Sequence, residues 1–140
     1  MSTTVLCIFS SKLKYFAEAV WDGGEETLSK FGVLMSPNYP DNYPNNLDSE
    51  QEIRVAEGNT ISIRFTHFNT EREYDYVEIM DGDGTNLITG PGGKESGGRW
   101  GGPEYIVSKT NRVLVKFHTD GDTQMRNGWR LEWTERKLDN

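Results

Sequence analysis

One cysteine, Cys7, stands among 140 residues, so no disulfide can close within the chain. That lack favours either a reducing compartment or a secreted domain built without bridges. No Asn-x-Ser/Thr sequon occurs, which excludes N-glycosylation. No apolar run approaches the roughly 18 residues that a spanning helix needs, so no membrane helix is predicted. Positive charge is scarce: 15 Lys and Arg against 22 Asp and Glu leave a net charge of −7. Such a surface repels phosphates and speaks against nucleic acid as a partner; it suits cations, basic proteins or plain solubility. No Ser/His/Asp or Cys/His arrangement is evident, and no glycine loop follows a strand to open a helix over a phosphate. The chain therefore reads as non-catalytic.

What remains fits one domain. The 34% hydrophobic and 11% aromatic content fills a single core, and 15 glycines with five prolines imply many turns. Residues 1–21 stand apart as an N-terminal extension. Val5-Leu6-Cys7-Ile8-Phe9 is apolar and Ala17-Glu18-Ala19 has the form of a signal cleavage site, but Lys12 and Lys14 interrupt the run and no basic residue precedes it. The segment is a packing or assembly element, or else a degenerate signal peptide. Residues 4–9 read as a short strand. Ser10 or Ser11 then caps a helix that lines up Leu13, Phe16, Ala17, Val20 and Trp21 on one face, closed by the Asp22-Gly23-Gly24 turn. Cys7 reads as a small buried residue.

From Phe31 onward the period changes to two. Ile53 and Val55, then Ile61, Ile63 and Phe65, alternate with polar neighbours. Asp75, Val77 and Ile79 fall on one face, opposite Tyr74, Tyr76 and Glu78. Val113, Val115 and Phe117 form another set, and Trp129, Leu131 and Trp133 the last. A period of two puts each set on one face of a half-buried strand. Turn signals punctuate the runs at Asn38-Tyr39-Pro40, Asn42-Tyr43-Pro44, Glu57-Gly58-Asn59, Asp81-Gly82-Asp83-Gly84, Pro91-Gly92-Gly93 and Gly101-Gly102-Pro103. The prediction is an all-β, two-sheet antiparallel sandwich over residues 22–134. Residues 90–102 form one long surface loop and residues 135–140 a C-terminal tail.

Three strand ends carry acids: Phe65–Glu71, Tyr74–Ile79 beginning with Asp75, and Phe117–Asp122. Only three residues separate Glu71 from Asp75, so a tight loop can bring both carboxylates to one point, with Asp120 arriving from a distant strand. Carboxylates gathered in this way repel unless a cation joins them, and a hard ion such as Ca²⁺ takes six to eight oxygen ligands.

These segments resemble the CUB domain family over roughly residues 22–134. The resemblance rests on the opening Phe31-Gly-Val-Leu-Met-Ser-Pro-Asn-Tyr-Pro-Asp-Asn-Tyr-Pro-Asn-Asn46, on Tyr74-Asp-Tyr-Val-Glu-Ile79 with Asp81-Gly82, on Phe117-His-Thr-Asp120 and on Gly128-Trp129. It implies a jelly-roll-like sandwich and a Ca²⁺ site held by Glu71, Asp75 and Asp120, with the backbone carbonyl of Asp122 and with Tyr39 hydrogen-bonded to the glutamate. It also implies that Glu71 and Asp120, once the ion is bound, accept a basic side chain from a protein or glycan ligand outside the cell. The sequence departs from the family at its cysteines. Asp22, Ser49, the Arg72-Glu73 region and Thr89 stand at the four positions, so the domain is disulfide-free.

Other motifs carry less. Asp81-Gly82-Asp83-Gly84 begins like an EF-hand loop, yet the twelfth position is Gly92, so it is a hairpin turn. His67 and His118 lack the paired spacing of a zinc site. Trp129 and Trp133 belong to the core, while Trp100, between Arg99 and Gly101, is placed to touch a partner. A second functional reading is a self-assembling filament or sheath subunit, a homo-oligomer in which residues 1–21 add a strand to a neighbour's sheet.

Overall fold

The computed structural model describes residues 2–5, 16–20, 30–122 and 125–138. Among the described residues nine strands run β1 (Ser2–Val5), β2 (Phe16–Val20), β3 (Phe31–Met35), β4 (Asp48–Arg54), β5 (Thr60–Asn69), β6 (Tyr76–Asp81), β7 (Ile106–Val107), β8 (Arg112–His118) and β9 (Gly128–Arg136). They form a six-stranded sheet in the order β1-β2-β3-β9-β5-β7 and a three-stranded sheet in the order β4-β8-β6. Every pairing is antiparallel.

The period-two sets become the facing walls of the sandwich. Ile53, Ile61, Ile63, Val77, Ile79, Val113, Val115, Phe117, Trp129, Leu131 and Trp133 are all buried between the sheets. A one-residue slip would turn each set to solvent, so the alternation itself fixes the register. The exception is a bulge between Phe65 and His67 on β5. Beyond it Phe68 is buried while His67 and Asn69 stay partly exposed, and the strand is re-aimed toward the acidic turn that follows.

The extension departs from expectation. Phe16–Val20, read as part of a helix, is a strand whose Phe16, Ala17 and Glu18 pair with Val33, Gly32 and Phe31. Phe16, Ala17 and Val20 fill a helical stripe, and the edge of β3 overrides it by supplying backbone partners. The first described strand covers Ser2–Val5, and residues 6–9 of the expected strand, Cys7 among them, lie outside the described residues. Ser10, Ser11, Leu13 and Trp21 lie outside the described residues.

Nor is 90–102 a plain surface loop. After one 3₁₀ turn at Pro91–Gly93, Glu95 forms a bridge to Val77 and Trp100 packs on the core. The Asp81–Gly84 motif is a hairpin turn, closed by Thr85 O accepting from Asp81 N–H at 2.8 Å. The carboxylate of Asp81 is 3% exposed and fully engaged. Oδ1 accepts from the N–H of Gly82 (2.8 Å) and the hydroxyl of Thr110 (2.5 Å), and Oδ2 from Lys109 N–H (2.7 Å). A single buried acid thus ties the β6 turn to the β7–β8 loop. Asp81→Ala strands these donors and costs about 2–4 kcal/mol, with Asp81→Asn nearer half of that. Urea unfolding of the two variants measures the difference.

Candidate metal centre

The acidic loops converge at one end of the sandwich, and the residues that hold them are neutral. Tyr43 is buried edge-on against Phe117, with ring centroids 5.0 Å apart, and its N–H bonds Arg126 O at 3.1 Å. Its hydroxyl donates to Asp75 Oδ2 at 2.6 Å and accepts the N–H of Glu71 at 3.1 Å. Burial, and then the bond to Asp75, push the phenol far above its usual range, so it remains a donor at any physiological pH. The other oxygen of Asp75, Oδ1, accepts the backbone N–H of Asp120 at 2.9 Å. Asp75 therefore bridges the loop after β5 to the end of β8, at 1% exposure.

Two threonines fix the loop ends. Thr70, fully buried, donates its hydroxyl to Asp75 O (3.1 Å) and accepts Gly97 N–H on the same oxygen (3.0 Å). Its own N–H reaches Gly97 O at 2.8 Å. Glu73 N–H bonds Ser96 Oγ, and Val77 exchanges two backbone bonds with Glu95. Residues 95–97 thus form a beam clamping the Glu71–Asp75 turn at both ends and in its middle. On the other side Thr119 donates to Pro44 O at 2.9 Å and accepts Leu47 N–H at 2.8 Å, which holds the Asp120 loop.

Within this frame one carboxylate oxygen from each of Glu71, Asp75 and Asp120 lies within 4.8 Å of the other two. Asp122 turns its N–H onto Asp120 Oδ1 at 3.0 Å. Glu71 is the unbalanced member. It is 9% exposed, and its Oε2 is buried without a hydrogen-bond partner. Burial first, then the charges of Asp120, Asp75 and Asp122, raise its carboxyl above the ordinary value, against a weaker pull from Arg126. Asp81, equally buried, has every oxygen paired. Among the buried carboxylate oxygens of the described residues Glu71 Oε2 alone is left without a partner, and strand geometry does not require an orphaned acid. An all-oxygen donor set without His or Cys suits a hard ion such as Ca²⁺ better than zinc.

Other residues singled out in the sequence lie elsewhere. The tyrosine at the cluster is Tyr43, not Tyr39, whose ring packs against His67 at 5.5 Å. Asn-Tyr-Pro occurs at both positions, and only the docking of the second on Phe117 and Arg126 distinguishes them. His67 bonds Asn127 (2.8 Å) and His118 bonds Asp48 (2.7 Å); neither joins the acids. Trp100 is partly buried against the core. It stacks on Phe65 at 4.3 Å and donates its indole N–H to Pro103 O at 2.7 Å, because a large half-apolar ring is better satisfied covering the core. Thr70, Thr119 and the 95–97 beam were not foreseen.

The raised carboxyl of Glu71 has a definite sign. The fold prefers its protonated form, so that contribution is fully present below the unfolded carboxylate value and lost as pH rises through the folded one. In metal-free protein at about pH 7 the charged side chain is a cost, and Glu71→Gln melts above wild type. The gap closes as pH falls toward about 4. Thermal melts in chelator across this range measure it.

A CUB domain family model matches residues 23–133. Bone morphogenetic protein 1 of Xenopus laevis is 37% identical over 114 residues, covering 74% of this chain and 15% of that protein. Human cubilin is 33% identical over 118 residues, 73% of this chain and 3% of cubilin. The chain therefore spans a small part of these relatives. Among solved structures, the CUB1-EGF-CUB2 region of human MASP-1/3 superposes with a TM-score of 0.67 at 28% identity, covering 78% of this chain and 42% of that one. The MASP-1 CUB2 domain bound to Ca²⁺ gives 0.62 at 26% identity, covering 74% and 90%. With the two-sheet sandwich and the strand-end acids, these matches establish that the chain belongs to the CUB domain family.

Proposed function

We propose that residues 22–134 form a non-catalytic recognition module whose calcium site is built from Glu71, Asp75 and Asp120, with Asp122 contributing from the backbone. The observation that carries this reading is the orphaned, buried Oε2 of Glu71 amid two further carboxylates. The similarity to a CUB domain solved with Ca²⁺ supports it. When bound, the ion supplies two positive charges that offset the mutual repulsion of the acids. Asp75 is spent inward, on Tyr43 and on the Asp120 N–H. Glu71 and Asp120 are thereby left to present oxygen toward a ligand, and carboxylates so oriented select a basic side chain. A protein partner bearing lysine outside the cell, where calcium is plentiful, matches both this chemistry and the scarcity of cations on the chain itself.

Assembly through the extension is the second reading. It is favoured by β1 closing the six-stranded sheet as an edge strand, where backbone groups can take another chain. It weighs less than the acidic centre, because an edge strand names no partner.

Calcium titration by calorimetry tests the site. Wild type takes up one ion, and at a hundredfold excess over Kd the folded state gains about 2.7 kcal/mol, or roughly 10 °C in melting temperature. Asp120→Ala loses both signals. Thr70→Val keeps every ligand but removes the hydroxyl tying Asp75 to Gly97, and weakens binding about tenfold; Thr70→Ser restores it. A melting temperature indifferent to calcium in wild type ends this reading.

A further inference from the structure

Next to the 95–97 beam a cleft of about 100 Å³ opens between Ile88, Glu95, Trp100, Gly101, Pro103 and Ile106. Ile88 and Ile106 are 5% exposed and supply apolar walls. Trp100 is fixed by its stack on Phe65 and by its bond to Pro103 O, so that wall is rigid. The one charged group is the half-buried carboxylate of Glu95, whose backbone is locked by its two bonds to Val77.

The room around this carboxylate is made by glycines. A Cβ on Gly101 would come within 2.8 Å of Oε1, and one on Gly90 within 3.3 Å of Oε2. Neither glycine has a left-handed φ, so the backbone does not demand them; the space beside the acid does. Among the described residues no Lys or Arg nitrogen lies within 4.0 Å of Glu95. Burial raises its carboxyl, opposed by the N–H of Gly101 and the charge of Arg72. A half-buried acid that faces an apolar-walled space with no ion pair within 4.0 Å can take a cation there.

Size narrows the occupant. At about 100 Å³ the space is small beside the roughly 300 Å³ of a small-molecule pocket and suits the end of one side chain. The ammonium end of a lysine matches both features, its charge on the acid and its methylene stem on the apolar walls. We propose that this cleft is a socket for the ε-ammonium end of a lysine side chain from a protein partner, separate from the acidic centre and independent of calcium.

The test titrates the full chain, in chelator, with Nα-acetyl-lysine N-methylamide and follows amide and indole resonances by NMR. Saturable shifts are expected at Gly90, Glu95, Gly101 and the Trp100 indole N–H. The uncharged norleucine counterpart binds at least about tenfold more weakly. Glu95→Gln and Gly101→Ala, the latter filling the cleft, lose the shifts, whereas Asp120→Ala keeps them. Equal response to the norleucine probe, shifts confined to residues 71–75 and 120, or no shift in wild type overturns the proposal. If either variant fails to fold, the two probes compared on wild type still decide.

Discussion

Carboxylates gathered within 4.8 Å repel one another, and the end of this sandwich is organised to hold three of them together regardless. The device is Asp75. Its two oxygens accept from the Tyr43 hydroxyl and the Asp120 N–H, so a single buried acid locks the β5–β6 turn, the segment before β4 and the loop after β8 in one arrangement. Glu71 is carried along by the same tyrosine through its backbone, which brings its side chain into the cluster with Oε2 left without a donor. An assembly held this firmly by neutral donors is preorganised, and the charge it cannot dissipate internally is what a cation would answer.

The rest of the fold serves that end. The hydrophobic walls fix register, register fixes where each strand stops, and the strand ends deliver the acids. A chain with one cysteine has no intrachain bridge to hold its loops. Here the backbone of 95–97 does that work, through Gly97 on Thr70, Ser96 on Glu73 and Glu95 on Val77. These bonds form only in the folded state and leave the unfolded chain unconstrained, unlike a disulfide, which acts largely on the unfolded ensemble. Calcium would then add the covalent-like tie that the sequence lacks.

The period-two runs from Ile53 to Trp133 were legible because burial on one face imposes a strict alternation. The acids were legible because Glu71 and Asp75 lie close in sequence and Asp120 ends a strand. The extension departs from its helical stripe because backbone pairing with the edge of β3 overrides the local pattern of Phe16–Val20. The resemblance points to Tyr39, but the same Asn-Tyr-Pro context recurs at Tyr43; ring packing against Phe117 separates them, and packing has no local signature. The same is true of Trp100, whose glycine neighbours suggest exposure while Phe65 gives it a place on the core. Thr70 was invisible for a related reason: a threonine before a glutamate is unremarkable until Gly97, 27 residues away, is seen to bond it.

The central claim, that the three acids are arranged for an ion, is tested most directly by a high-resolution crystal structure grown in millimolar calcium. The account predicts one ion with oxygens of Glu71, Asp75 and Asp120 at about 2.3–2.6 Å and with Tyr43 still on Asp75. A structure in which no ion is bound there and Arg126 swings onto Glu71 as its counterion would contradict it.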